Sequence, residues 1–497
     1  MKRVLLALSL VCLSNASASP KQFSAKSWIK DFHELCQHLE RSYANLTWFA
    51  SPQGGVDLPE LHKTALRALK SAKNEREAKI SLQSFVEGFH DGHLELLPGS
   101  SAPPAKFKVV LPPIKRSESA PVACAQLGFA HKKGTSFSLP FEVAAGFELL
   151  NVGEMDSFRT GIAKSNGKKL GVIRISVMRE YEFPNECEKA WKEQVGNKKA
   201  GDCDSECQRQ VGDRAQLLFM ESLSQRLKTL SQLDVSAVLL DIRGNGGGND
   251  LGDWIPRLFT SRDIRSARLG IVTAPDSVEF YDEHLTDINK ALKAATSSLA
   301  ISALKNAAKE FERLKNIALD KKKCDMSWVW RERRPWAPLV SKCSNLAFGQ
   351  NYFSGAFDFL KYGALESPEA EKSLYWPTVA APYLGSWTGP VYVAVDDRTG
   401  SAAEATAAIF QNNRAAKLIG TKTAGSGCGF MFKTPEPTLR NSRLRVRIPN
   451  CARLRSDLTD EVSGITPDIP LERFDGEADQ QYALRFIEAI GADLQNN

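Results

Sequence analysis

Cysteine is scarce in this chain, with 10 in 497 residues. That is too few for a small scaffold built on disulfides, yet more than a reduced cytosolic enzyme needs. Long apolar runs are missing as well. The one candidate, Val4 to Leu13 at the amino terminus, is too short to cross a hydrocarbon layer about 30 Å thick. Neither sign of charge dominates: 65 Lys and Arg stand against 58 Asp and Glu, a net +7, which does not suggest a nucleic-acid binder. No repeat of fixed period is visible. What is present, 42% hydrophobic and 25% charged residues, is the composition of ordinary globular domains. At roughly 150 residues per domain the length implies two to four.

The short apolar run has a use. Lys2 and Arg3 precede it and Ala16-Ser17-Ala18 follows it, the charged, apolar and small-residue pattern of a secretory signal peptide spanning residues 1–18. The expected protein is exported, periplasmic or secreted, begins at Ser19, and has no stable membrane insertion. Removing Cys12 leaves nine cysteines, an odd number, so at least one thiol stays unpaired. The nearest bridges are Cys324 with Cys343, Cys428 with Cys451, and two of Cys187, Cys203 and Cys207. The last three could also be read as zinc ligands, but no histidine lies nearby and the spacing is not a paired CxxC, so no metal and no cofactor is expected.

Helical spacing of Trp28, Phe32, Leu35 and Leu39, then Leu61, Leu66 and Leu69, then Leu82, Phe85 and Val86 predicts a helical amino-terminal domain over 19–102. Short β-like runs broken by Gly, Pro and Ser predict a small β-rich module over 103–169. From 170 to 475 buried-looking strands alternate with helical patterns, the clearest being Ala237 to Ile242, Val391 to Val395 and Lys417 to Ile419. Continuous apolar strands belong in sheets covered on both faces, so this is an α/β core. Insertions at 182–212 and 283–343 interrupt it, and a helix closes the chain over 476–497. Lys321 to Lys323 and Arg331 to Arg334 read as solvated surface.

Two segments carry chemistry. Asp241-Ile242-Arg243-Gly244-Asn245-Gly246-Gly247-Gly248-Asn249 follows a buried strand, and its glycines free the backbone to present N–H groups to a ligand. It is neither GxxxxGK[ST] nor GxGxxG, which argues against a nucleotide. The second segment runs from Val391 to Gly425. There a strand leads through Gly400 and Ser401 into a helical stretch from Ala402 to Gln411. A serine at that position sits where helix amides favour developing negative charge. It could equally be a simple helix cap, with Glu404 completing a capping box.

Together these segments resemble the S41 serine peptidases, the family of tail-specific processing proteases and the tricorn core protease. The resemblance rests on Asp91-Gly92-His93, the LLDIRGNGGG loop, GSAAEATAAIFQNNRAAKLIGTKTAG, and a weaker terminal block from Glu461 to Ile469. The blocks span about Gly88 to Pro470 in the family's order. The resemblance implies a Clp protease/crotonase-like α/β core and a nucleophile at Ser401. The lysine base of the processing branch is absent, since Ser426 stands at its place and Lys422 comes too early. The tricorn-like branch implies His93 as base and Glu461 as its carboxylate partner, an arrangement that is chemically coherent. One departure is Gly92, where that branch has a serine beside the histidine. The expected oxyanion donors are the backbone N–H groups of Gly246 or Gly247 and of Ala402.

Other histidines read as bystanders. His90 suggests packing or support, and His33 and His38 are five apart, which turns them about 140° from each other on a helix. The family's PDZ slot, 103–169, shows no clear carboxylate-binding loop. The expected activity is hydrolysis of peptides or unfolded proteins through an acyl-enzyme at Ser401. A non-catalytic ligand- or peptide-binding protein on the same fold is the alternative. An α/β-hydrolase esterase is disfavoured because Ser401 is not embedded in GxSxG.

Overall fold

The computed structural model describes residues 23–99, 112–130, 136–152, 157–196, 200–320, 324–340, 344–433 and 436–496. The expected signal peptide, Cys12 and the Cys343 end of one expected bridge lie outside them.

The centre is a seven-stranded sheet in the order Ile469–Pro470, Lys417–Gly420, Val391–Val395, Ala237–Asp241, Lys168–Arg174, Thr160–Ser165 and Glu148–Asn151. The first five run parallel and the last two add antiparallel. Every residue of the two middle strands is buried, because helices cover both faces. Val391, Val393 and Val395 point into one core with the helices Ser205–Gln232 and Ala402–Asn412, whereas Tyr392 and Ala394 meet Tyr482, Phe486 and Ile490 of the terminal helix Asp479–Asp493. The apolar run thus reflects two-sided burial.

The amino-terminal helices Ala25–Ser42, Leu58–Ser71 and Glu75–Glu87 form a separate cluster, into which Trp328 and Trp330 pack. Arg331 to Arg334 are exposed, as solvated side chains should be. The 283–343 stretch falls mostly in an antiparallel helix pair, Val278–Ala294 and Ser298–Leu319, laid on a three-stranded sheet of Cys451–Leu454, Arg268–Val272 and Leu346–Tyr352.

The separate β-rich module expected at 103–169 is not formed by the described residues. Its strands at 148–151 and 160–165 extend the main sheet instead. A two-residue periodicity reports alternation of faces but not which sheet a strand joins. The remainder of that slot supplies a helix, Ala120–Gln126, tied by the Cys124–Cys187 disulfide to the helix Pro184–Val195. Cys203 pairs with Cys207, and Cys428 with Cys451 as the spacing suggested. With Cys187, Cys203 and Cys207 all in disulfides, none is a thiolate ligand for zinc. Cys36 is a buried free thiol.

Candidate active site

Two adjacent parallel strands end together, Ala394 lying opposite Asp241. Their carboxyl ends therefore deliver the glycine loop and the serine turn to one place, where ligands meet parallel sheets. Main-chain bonds join the two: Gly400 N–H donates to the Asn245 carbonyl at 2.9 Å, and Gly244 N–H to Asp396 Oδ1 at 2.7 Å. Ser401 takes φ 54° and ψ −119°, a conformation costing a non-glycine residue of order 1–3 kcal/mol. Gly247, at φ 101°, is what lets the loop close on it. A Cβ there would stand 2.6 Å from Ser401 Cβ and 2.7 Å from Ala402 N.

Glu404 does more than cap a helix. Its buried carboxylate accepts the Ser401 N–H at 3.1 Å, the Thr423 hydroxyl at 2.7 Å, and the N–H groups of Gly425, Ser426 and Gly427 at 2.6, 2.8 and 3.0 Å. One side chain therefore fixes both the serine turn and the 423–427 loop facing it. Burial raises its pKa against the lowering effect of these donors.

That loop holds His93. Nδ1 lies 2.7 Å from the Ser426 carbonyl, and the His93 N–H donates to Asp91 Oδ1 at 2.9 Å. A carbonyl can only accept, so Nδ1 carries the proton and the neutral ring keeps its lone pair on Nε2, the tautomer a base needs. The Phe430 ring stands edge-on to the imidazole at 5.6 Å. Gly429 lies under it so closely that a Cβ would meet Nε2 at 2.8 Å. Ser426 Oγ lies 2.7 Å from where a Gly92 Cβ would be and 3.1 Å from where a Gly400 Cβ would be. The serine missing at position 92 is thus answered by a hydroxyl from another segment, set between the histidine block and the serine turn. Among the described contacts none joins the Ser401 and His93 side chains directly. Such bonds often tighten only when substrate binds.

The expected link from His93 to Glu461 is replaced by a different one. Glu461, fully buried, accepts from Arg453 Nε at 2.6 Å through Oε2, while its Oε1 has no partner. Arg453 Nη2 donates to the carbonyls of Ser401 at 3.0 Å and Gly427 at 2.9 Å. A carboxylate seen in a motif does not announce its partner, and here a buried arginine outcompetes an imidazole. Arg453 was missed. The available signal was a lone cation in the otherwise apolar strand Cys451–Leu454, whose burial is complete. Asp91 also has partners the sequence hid, Tyr43 Oη at 2.8 Å and Asn45 Nδ2 at 2.9 Å. His90, expected to pack, is exposed at φ 56°.

Of the expected oxyanion donors, Gly247 N–H is taken by Asn245 Oδ1 at 2.9 Å. Gly246 is exposed, and Ala402 N–H heads its helix, where no intrahelical acceptor exists.

Next to Glu461 in the chain is a second fully buried acid, Asp460. Burial pushes the Asp460 carboxyl up to about 8, with the Glu461 and Asp91 carboxylates adding to it and the Val462 N–H and Arg453 opposing. A folded pKa above the unfolded one adds stability that is complete below the unfolded pKa, near 4, and lost as pH rises through about 8. Asp460→Asn, which keeps the shape without the titration, is expected to flatten that decline. Urea midpoints at pH 5 and pH 9 should converge in the variant, and an unchanged pH dependence would refute the assignment.

Residues 349–471 match the model of peptidase family S41. Mature CPAF superimposes with a TM-score of 0.52 at 14% identity, covering 95% of this chain and 98% of that one. Mature CPAF complexed with lactacystin gives 0.53 at 14%, covering 95% and 99%. A putative peptidase from Parabacteroides merdae gives 0.43 at 15%, covering 94% and 96%. A search of the curated proteins gives no match. The likeness to CPAF is one of fold, and the core is an α/β one built on the seven-stranded mixed sheet. The stretch 349–471 is therefore similar in sequence to peptidase family S41, and the chain is similar in fold to mature CPAF.

Proposed function

We propose that this chain is an exported serine endopeptidase that cleaves peptides and unfolded proteins through an acyl-enzyme at Ser401. The observation carrying this reading is the strained Ser401 turn closed against Gly247 at the head of a helix. Ser401 Oγ attacks the scissile carbonyl while His93 Nε2 takes its proton. The N–H groups of Gly246 and Ala402 receive the oxyanion, the service such donors give in acyl transfer. Collapse breaks the C–N bond, and His93 returns the proton to the leaving amine. Water then repeats the sequence on the ester. Glu461, paired to Arg453, acts on the serine turn rather than on the imidazole. The disulfides accord with an oxidising compartment, and the exported protein is expected to begin at Ser19.

A fluorophosphonate probe tests the chemistry. Covalent labelling mapped to Ser401, and lost in Ser401→Ala, is expected. A folded protein that binds peptide yet takes no label would instead be the non-catalytic binder.

A further inference from the structure

The strand Leu346–Tyr352 is the outermost of its three-stranded sheet. Its hydrogen-bonding direction follows from register. Thr273 N–H donates to the Asn345 carbonyl at 2.8 Å, and Val272, Ile271 and Gly270 lie opposite Leu346, Ala347 and Phe348. Bonded and non-bonded pairs alternate in an antiparallel ladder, so Asn345 and Ala347 turn toward the neighbouring strand while Leu346 and Phe348 turn away. The neighbour agrees, since the Val272 N–H goes to Asn450 on its other side. The outward row thus offers the Leu346 carbonyl, both main-chain groups of Phe348, and the Gln350 N–H. Glu310 Oε1 holds that last group at 3.1 Å. By the register both main-chain groups of Phe348 face away from the ladder, and no side chain among the described residues is recorded as bonding them. The row faces a cavity of about 770 Å³ whose lining runs from Leu346 to Gln350, with Glu40, Arg41 and Glu310 on its other walls.

We propose that this cavity is a second binding site, remote from Ser401, that takes an extended segment of polypeptide substrate as a further strand. Resting on the peptidase reading, this names how an unfolded chain is held rather than how it is cut. The row alternates acceptor, donor, acceptor and donor at the spacing of one strand, which matches an extended main chain regardless of side chains. Five residues of strand present an edge on the order of 14 Å long. An uncovered edge is normally protected against pairing. Here the protection is one side chain, Glu310, standing where an incoming carbonyl would accept from Gln350. The site is also coupled to the catalytic centre in space. The far strand of the same sheet carries Arg453, which holds the Ser401 carbonyl. A chain added to the free edge would lie three strand spacings away, about 15 Å. A long substrate can therefore occupy both places, whereas a tetrapeptide cannot.

Amide exchange on full-length Ser401→Ala tests the site directly. Reduced, carboxymethylated α-lactalbumin, which is unfolded, should slow exchange of the Phe348 amide about tenfold, and the native protein should not. In the wild-type background, Phe348→Pro deletes a donor that points away from the ladder, where proline is tolerated. One lost hydrogen bond of about 0.5–1.5 kcal/mol should raise KM for the unfolded protein roughly two- to tenfold. Hydrolysis of a tetrapeptide coumarin amide should stay unchanged. Glu310→Ala, which frees Gln350, should lower KM for the unfolded protein and carries the kinetic test if Phe348→Pro does not fold. An unprotected Phe348 amide, or a proline variant that loses tetrapeptide and protein hydrolysis alike, overturns the proposal. Protection without any fluorophosphonate labelling would support this site while rejecting the peptidase reading.

Discussion

On the proposed mechanism Ser401→Ala is expected to lower kcat/KM on an unstructured reporter peptide by about 10⁴-fold or more, the scale set by deleting the nucleophile of a serine peptidase. The melting temperature should fall only by the worth of one helix cap, about 0.5–2 kcal/mol. Alanine keeps the main-chain bonds of Ser401, its N–H to Glu404 and its carbonyl from Arg453 and Ala405, and loses only the side chain's half of the capping box with the Glu404 N–H. It also keeps the Cβ and hence the strained φ of 54°. Ser401→Gly makes the contrast. It removes the same hydroxyl but relaxes a conformation costing about 1–3 kcal/mol in other residues, so it should be equally inactive and more stable than the alanine variant. Retained turnover in Ser401→Ala would dismiss the nucleophile assignment. A glycine variant no more stable than alanine would dismiss the strain.

The serine turn was legible because its signals are local. An apolar strand, a glycine loop and an alanine-rich helix each obey their own periodicity, and two parallel strands then bring their ends together. The helical amino terminus was legible for the same reason. What stayed hidden depends on distant partners. Nothing in Glu148 to Asn151 states that this strand joins the main sheet. Nothing in Glu461 states that it pairs with an arginine eight residues earlier rather than with His93. Glu404 was visible as a helix cap, yet four of its five donors come from the 423–427 loop. That loop's approach is decided by tertiary packing. Cys124 was left unassigned because its bridge closes over 63 positions, and sequence proximity favours near pairs.

Arg453→Lys is expected to cut kcat about 10²-fold while KM changes little, since small misplacements of a catalytic group cost on that scale. Arginine here is a fork. Nε serves Glu461, Nη2 serves the Ser401 and Gly427 carbonyls, and the guanidinium stacks 4.9 Å from the Phe353 ring. Lysine keeps the charge but offers one compact donor, which cannot span the carboxylate and both carbonyls. Some stability should be lost too, so Tm alone does not separate positioning from packing. Arg453→Met should be far worse, because it strands the fully buried Glu461 carboxylate, a loss of about 3–5 kcal/mol for a broken buried pair. Replacing both, Arg453→Met with Glu461→Met, removes the stranded charge and should recover much of that stability. Without the fork the Ser401 carbonyl is unheld, so kcat should stay low even where Tm returns. If activity and stability instead recovered together, the arginine would be a structural ion-pair partner and nothing more.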